Sequence, residues 1–302
     1  MMRPAIDWQE KGEAFYFIAD YHALTTVHDA ARLQTDSRNV AIDFIACGLD
    51  PSRATLFRQS DVPQVTELAW LLSVVTPMGL LERCHAYKDA VAKGFAPSHG
   101  LFAYPVLMAA DILIYDSDIV PVGKDQKQHV EVTRDLAIKI NETFGEGLLR
   151  LPEESILPEL ATIPGLDGQK MSKSYNNTIE LFMEEKALRK RIMGIQTDST
   201  PVEAPKDPAT SSIVALYKLF ANPADVATME AEFRAGGVGY GEFKKRLFAA
   251  IWEYFAPARE QRAEIERDVD FIDTILDDGA ARASAIASET LARVRKAMGL
   301  GR

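Results

Sequence analysis

The sequence predicts an α/β fold with a Rossmann-like, doubly wound parallel sheet, followed by an α-helical second domain. Three observations carry that expectation. Short aromatic and β-branched runs alternate with longer amphipathic ones through the first half, strand signals stop beyond Thr178, and the polar, glycine-bearing segments fall where strands would end.

Taken in order, "AFYFIAD" (Ala14 to Asp20) and "ATLFRQS" (Ala54 to Ser60) are strand-like, and "DIVPVG" (Asp118 to Gly123) is a short apolar run closed by glycine. Helical periodicity separates them over roughly Asp29 to Cys47, Val65 to Val75, Pro105 to Tyr115 and Gln126 to Asn141. Beyond Thr178 come "IVALYKLF", "DVATMEAEFRA", "FKKRLFAAIWEYFAPARE" and "AARASAIASETLARVRKAM", helix after helix, joined by the proline-rich "STPVEAPKDP" (Ser199 to Pro208). The boundary is expected between Thr178 and Asp198.

At 302 residues, 47% hydrophobic and 26% charged, the chain can bury one full core and a smaller second one. No apolar run reaches the roughly 18 to 20 residues that span a bilayer, and the N-terminus lacks the layout of a secretory signal, so a cytoplasmic protein is expected. Cys47 and Cys84 stand in no CxxC or Cys/His cluster, which leaves them as buried hydrophobes rather than disulfide partners or zinc ligands. A net charge of -10 argues against a protein that coats nucleic acid unspecifically. It leaves room for local basic patches at Lys186, Arg189, Lys190 and Arg191, or at Lys244, Lys245 and Arg246, although each also reads as a solvated helix face.

Three constellations carry chemistry. In "YPVLMAAD", Tyr104, Met108 and Asp111 are spaced i, i+4, i+7 and share one helical face. That face suits either a pocket for a large flat ligand with a single N–H donor, or a packed core stripe. In "PVGKDQKQH", Gly123 ends a strand and Asp125-Gln126 opens a helix, so Asp125 serves either paired ribose hydroxyls or the helix start as its cap. His129 has no partner at metal spacing and reads as a helix-face histidine. In "LDGQKMSKSYNNT" (Leu166 to Thr178), Lys170 and Lys173 are compact cations, Ser172 and Ser174 add hydroxyls, and Gly165 and Gly168 would let the loop swing. Without the GxxxxGK[ST] order of a P-loop, such a loop suits a polyphosphate leaving group whose charge grows during reaction.

"GQKMSKSYNNT" resembles the KMSKS signature of class I aminoacyl-tRNA synthetases. With "LFAYPVLMAADILIYDSDIVPVGKDQKQHVEVTRDLA" the resemblance closes on the tryptophanyl-tRNA synthetase family over essentially the whole chain. The resemblance implies a Rossmann catalytic domain over residues 1–185, an anticodon-binding helical domain over 186–275, a final helix over 276–302 returning to the catalytic body, and a homodimer. It implies activation of tryptophan by ATP with Mg2+, release of pyrophosphate, and transfer to tRNA(Trp). Residue by residue, Asp111 resembles the reader of the indole N–H and Met108 packs on the ring. Tyr104, Gln126 and His22 match the rest of the tryptophan pocket. Gly123, Lys124 and Asp125 match the ATP-ribose segment, Ile163 an adenine-side contact, and Lys170, Met171, Ser172, Lys173 and Ser174 the triphosphate loop, with Lys173 the main catalytic cation beside Lys170. Tyrosyl-tRNA synthetase is disfavoured, because Met108 and Asp111 suit an indole better than a phenol.

Two departures follow from the same resemblance. No counterpart of the family's His-Ile-Gly-His type motif is found, and the chain resembles the family from the middle of the following helix. The first strand and half of the ATP site are therefore expected to be missing, and activity of the chain as given to be feeble. The alternative function is a catalytically inactive tryptophan- or tRNA-binding protein; a third is a transferase on another adenylate-forming pathway. In "YKDAVAKG", Ala90 stands where several relatives carry lysine, leaving Lys88 or Lys93 for the pyrophosphate.

Overall fold

The computed structural model describes residues 5–92, 94, 96–123, 126–156, 163–172 and 175–301. Among them the chain divides into two compact units, one formed by Met1–Glu159 with Glu264–Arg302 and the other by Leu160–Ala263.

The first unit is the α/β one. It opens with β1 (Ala14–Ile18), α1 (Asp20–Ala23), α2 (Ala30–Ala46) and β2 (Ala54–Arg58). Helix α2 starts where Asp29 accepts the Arg32 N–H at 3.0 Å, a side-chain cap that satisfies one orphan amide of the first turn. Then follow α3 (Gln64–Ser73), α4 (Met78–Glu82), α5 (His85–Ala92), α6 (His99–Leu113), β3 (Ile119–Val122), α7 (Lys127–Phe144) and β4 (Glu153–Ile156). The segment around Ala90 is largely the helix α5, with Lys88 exposed on it; Lys93 lies outside the described residues. Helix α6 starts well before Pro105, because the Ser98 hydroxyl caps it by accepting the Leu101 N–H at 3.2 Å; Pro105 is buried inside the helix rather than opening it.

The four strands among the described residues pair in parallel, β1 with β2 from Ala14↔Ala54 to Ile18↔Arg58, and β3 with β4 from Ile119↔Glu153 to Val122↔Ile156. The ladder runs within each pair, and side chains join the pairs: Phe15 of β1 stacks on Tyr115, just ahead of β3, with ring centroids 5.2 Å apart and planes 13° off parallel. Strand β4 had no strand signal in the sequence; its "EESI" alternates only weakly, and it is held at the edge by Lys127 of α7, which bonds Glu154 at 2.9 Å.

The second unit is helical: α8 (Glu185–Met193), α9 (Ser212–Tyr217), α10 (Pro223–Ala235), α11 (Tyr240–Tyr254) and α12 (Ala256–Ile265), the last ending just past its limit. Phe233, Phe243, Leu247, Leu188 and Ile192 form its core, and Ile163, Leu166 and Met171 pack against that core. The unit therefore begins ahead of the expected Thr178 to Asp198 boundary and of the 185/186 division, because those apolar side chains bury themselves with the helices. The proline-rich linker is tied down as well: buried Lys206 donates to the carbonyls of Pro201, Val202 and Ala204 at 3.1, 3.0 and 3.0 Å.

The long α13 (Val269–Ala297) belongs to the first unit and lies directly on β2. A Cβ at Gly279 would fall 1.9 Å from the Leu56 carbonyl oxygen, so only glycine permits this approach. The unit division at 263/264 falls ahead of the expected 275/276 one, since the whole of α13 packs as one piece. Among the described residues no helix is long and apolar enough to cross a membrane. Cys84 is buried, as read from the sequence, whereas Cys47 is only half-buried.

Candidate active site

The first unit gathers polar groups at the carboxyl ends of β1 and β2, the edge where parallel sheets receive ligands. Beyond Ile18 the chain turns at once into α1, and beyond Arg58 into a single turn of Gln59–Asp61, so the in-register strands deliver Asp20, His22, Gln59 and Ser60 to one place. Asp20 ties the two strand ends together: its carboxylate accepts the Tyr21 and Ser60 N–H groups, both at 3.0 Å, and the Ser60 hydroxyl.

Helix α6 brings Asp111 to this cluster. Only 3% exposed, it accepts from Gln59 Nε2 at 2.8 Å (Oδ1) and 2.9 Å (Oδ2), and from His22 Nε2 at 2.9 Å (Oδ2). When Asp111 is ionised it can only accept, and His22 then carries a hydrogen on Nε2. Burial pushes the Asp111 carboxyl above the usual range; the His22 and Gln59 bonds pull the other way, and nearby Asp20 adds to the rise. Tyr104, one helical turn from Met108, meets the His22 ring edge-to-face and shares a 2.5 Å hydrogen bond with His129 Nε2, so the histidine read as a helix-face residue lies on the buried face of its helix and is paired. Met108 is half-buried on the same face. A cleft of about 270 Å3, lined by His22, Trp70, Ala69, Ala103, Tyr104 and Leu107 among others, borders this cluster.

Gly123 follows β3, and its carbonyl accepts the Gln126 N–H at 2.9 Å; Gln126 then stands at the N-cap position of α7. Lys124 and Asp125 lie outside the described residues.

The cationic segment belongs to the second unit. Ile163 and Met171 are bonded across a hairpin-like fold, Met171 N–H to Ile163 carbonyl at 2.9 Å, with Pro164 and Lys170 bridged beside them. Its organiser is Asn177, only 3% exposed and passed over in the sequence. The Asn177 Oδ1 accepts the Ser172 N–H at 2.7 Å, while Nδ2 donates to Asp167 at 2.7 Å and to the Lys170 carbonyl at 3.2 Å. That donation holds the Asp167 carboxyl below its usual range. The two glycines each meet a local steric demand. Gly165 is buried, and a Cβ there would stand 2.3 Å from the Asn177 amide, while Gly168 makes a turn at φ +78°. The Lys170 side chain stays exposed. Lys173 and Ser174 lie outside the described residues.

The two basic patches part ways. Lys244 is buried and donates to the carbonyls of Met193 and Ile195 at 3.2 and 2.6 Å, Lys245 pairs with Glu242 at 3.3 Å, and Arg246 with Glu232. In the first patch Arg191 is spent on the Thr178 and Asn176 carbonyls at 2.9 and 2.8 Å, while Lys186, Arg189 and Lys190 are exposed on α8. Among the described residues no group of three or more His, Cys, Asp or Glu side chains could hold a metal ion.

Residues 1–256 match the family of class I tRNA synthetases for W and Y. The tryptophan–tRNA ligase of Rhodopirellula baltica is 57% identical over 299 residues, covering 99% of this chain and 93% of the relative. That of Fusobacterium nucleatum is 51% identical over 299 residues, with 99% and 92% covered. The Campylobacter jejuni tryptophanyl-tRNA synthetase, solved with ADP and tryptophan, superposes with a TM-score of 0.93 at 47% identity over 99% of this chain and 93% of the other. These matches lend no support to the expected loss of an N-terminal segment or to the non-catalytic alternative.

Proposed function

Since the chain belongs to the class I tRNA synthetases, among their tryptophan–tRNA ligases, we propose that Asp111 is the residue that reads its amino-acid substrate. The carrying observation is a buried carboxylate held by Gln59 and His22 at the carboxyl ends of two parallel strands. Such a group demands an N–H donor from whatever fills the adjoining space, and indole has one. Met108 then packs on the ring, and Tyr104, His22 and Gln126 complete the tryptophan site.

In the ligase reaction the tryptophan carboxylate attacks the α-phosphate of ATP, pyrophosphate leaves, and the aminoacyl group passes to the terminal adenosine of tRNA(Trp). We assign ATP to Gly123, Lys124, Asp125 and Ile163 on the nucleoside side, and to Lys170, Met171, Ser172, Lys173 and Ser174 on the triphosphate. Lys173, with Lys170, meets charge that grows on the leaving pyrophosphate, the interaction that lowers a barrier rather than merely tightening binding. Mg2+ is proposed to accompany the phosphates, the usual habit of that ion in nucleotide chemistry. The helices of residues 186–275 are assigned to the tRNA, and the working form to a cytoplasmic homodimer.

The test is substrate discrimination. Asp111→Ala should lower kcat/KM for tryptophan by about tenfold to more than a hundredfold, as loss of a charge-assisted bond requires. It should also erase the preference over a benzothiophene analogue that lacks the N–H. An unchanged preference, measured by ATP–pyrophosphate exchange with both substrates, would mean that Asp111 is scaffold.

A further inference from the structure

We propose that Gln59 is a positioning residue for amino-acid recognition: it holds the Asp111 carboxylate so that Oδ1, the oxygen His22 leaves open, faces the indole N–H. The inference rests on the assignment of Asp111 to the indole and goes beyond it to the residue that aims Asp111.

Gln59 is 1% exposed, and both ends of its amide are engaged. Its Oε1 accepts the Tyr21 N–H at 3.1 Å, and its Nε2 donates to Asp111 Oδ1 at 2.8 Å and Oδ2 at 2.9 Å. This orientation is dictated from both sides. A flipped amide would turn its NH2 toward a backbone N–H and its oxygen toward a carboxylate, which is repulsive at each end. The backbone of Tyr21 is itself fixed, because the same N–H reaches the Asp20 carboxylate that clamps Ser60.

An ionised carboxylate offers about four lone-pair sites. Gln59 Nε2 sits between the two oxygens and shares a hydrogen with both, while His22 adds a bond to Oδ2 alone. Oδ1 is therefore the less engaged oxygen. Without Gln59 the carboxylate is free to turn about its terminal torsion, which is soft and roughly two-fold, and to follow His22 alone. Gln59 is also neutral. It satisfies the buried charge without neutralising it, so Oδ1 stays a charged acceptor for a ligand N–H. A buried glutamine that merely filled space would not need its amide nitrogen set squarely between the two oxygens of one carboxylate.

The experiment compares the full chain with Gln59→Met, which keeps length and volume but donates nothing, with Gln59→Asn, which keeps an amide but shortens its reach, and with Asp111→Ala and the Gln59→Met/Asp111→Ala pair. Calorimetry gives Kd for tryptophan and for the benzothiophene analogue, and ATP–pyrophosphate exchange gives KM and kcat. The expected result is that both Gln59 variants weaken tryptophan by about tenfold while changing the analogue by less than about threefold, with KM rising more than kcat falls. In the Asp111→Ala background, Gln59→Met should remove no further preference, since a residue acting through Asp111 has nothing left to act on. Equal weakening of both ligands, or a loss of preference that persists in the Asp111→Ala background, would overturn the assignment. Should Asp111→Ala itself retain the parent's preference while Gln59→Met loses it, the reading of Asp111 fails and the inference with it.

Discussion

Around Asp111 the polar atoms face inward and the charge is buried, whereas in the 163–172 segment the polar glue is buried and the charge is left outside. Asp111 and Gln59 are 3% and 1% exposed, and strand ends in fixed register hold them. In the cationic segment the buried group is the neutral Asn177, and Lys170 is the exposed one. The difference teaches that selecting a substrate and stabilising a departing anion ask for different electrostatics. A buried acceptor penalises every ligand that fails to supply a donor. An exposed ammonium on a tied-down base can meet a charge that grows late and then release it.

The largest effect that would break this comparison is at Lys173. Lys173→Ala should lower kcat for tryptophan-dependent ATP–pyrophosphate exchange by about a hundredfold or more and leave the tryptophan KM nearly constant. Lys173→Arg should rescue only in part, because a planar fork does not replace a point charge. If KM alone rose, the segment would be a binding clamp like the Asp111 cluster, and the contrast would vanish.

Next in size is Asn177→Ala, which leaves the Ser172 N–H, the Lys170 carbonyl and Asp167 without their shared partner. Loosening that base should cost about tenfold in kcat while tryptophan Kd, measured by calorimetry, stays put. A parallel loss of tryptophan affinity would show that Asn177 supports the fold at large.

The pH dependence sharpens the comparison on the other side. With its carboxyl raised by burial, Asp111 is fully charged only above that raised value. Tryptophan KM should therefore rise, by a few fold, as pH is lowered through it, starting closer to neutrality than for an ordinary carboxylate. The linked stability runs the opposite way: a buried carboxylate with a raised value disfavours the folded state above it, so protonation relieves that burden. Asp111→Asn should flatten the KM profile, and a variant profile that still tracked the parent's would assign the titration to another group.

The smallest effect concerns the exposed cations of α8. Replacing Lys186 and Lys190 with Glu should slow tRNA charging by a few fold, more strongly at low salt, and leave pyrophosphate exchange intact. Lys244→Ala should instead lower the melting temperature, since this buried ammonium serves two carbonyls. Sequence pattern alone treated the two basic runs alike. Nothing in "FKKRL" says which lysine turns inward, because that depends on where the end of α8 lies.

Much of the scaffold was legible for local reasons. Helix α2 announces itself through Asp29 and an apolar stripe, and β1 and β2 through aromatic and β-branched runs. Strand β4 was not, because its stability comes from pairing with β3 and from Lys127 rather than from its own residues. The start of α6 was misplaced because Pro105 reads as a first-turn residue, whereas a cap at Ser98 starts the helix earlier and leaves the proline inside it.

By itself the sequence determined the fold class, the cationic motif, and the shared face of Tyr104, Met108 and Asp111, all of which depend on neighbours within a few turns of chain. The tertiary structure decided what those residues meet. Gln59 stands 52 positions from Asp111 and looks like any polar residue at a strand end, and Asn177 lies in an asparagine pair with nothing to mark the buried member. Gly279 gives no sign, within its helix, that a strand carbonyl will press against it. Periodicity reports which face of an element is buried, but the partner of a buried polar group is set by which strand ends and helices the packed chain brings together.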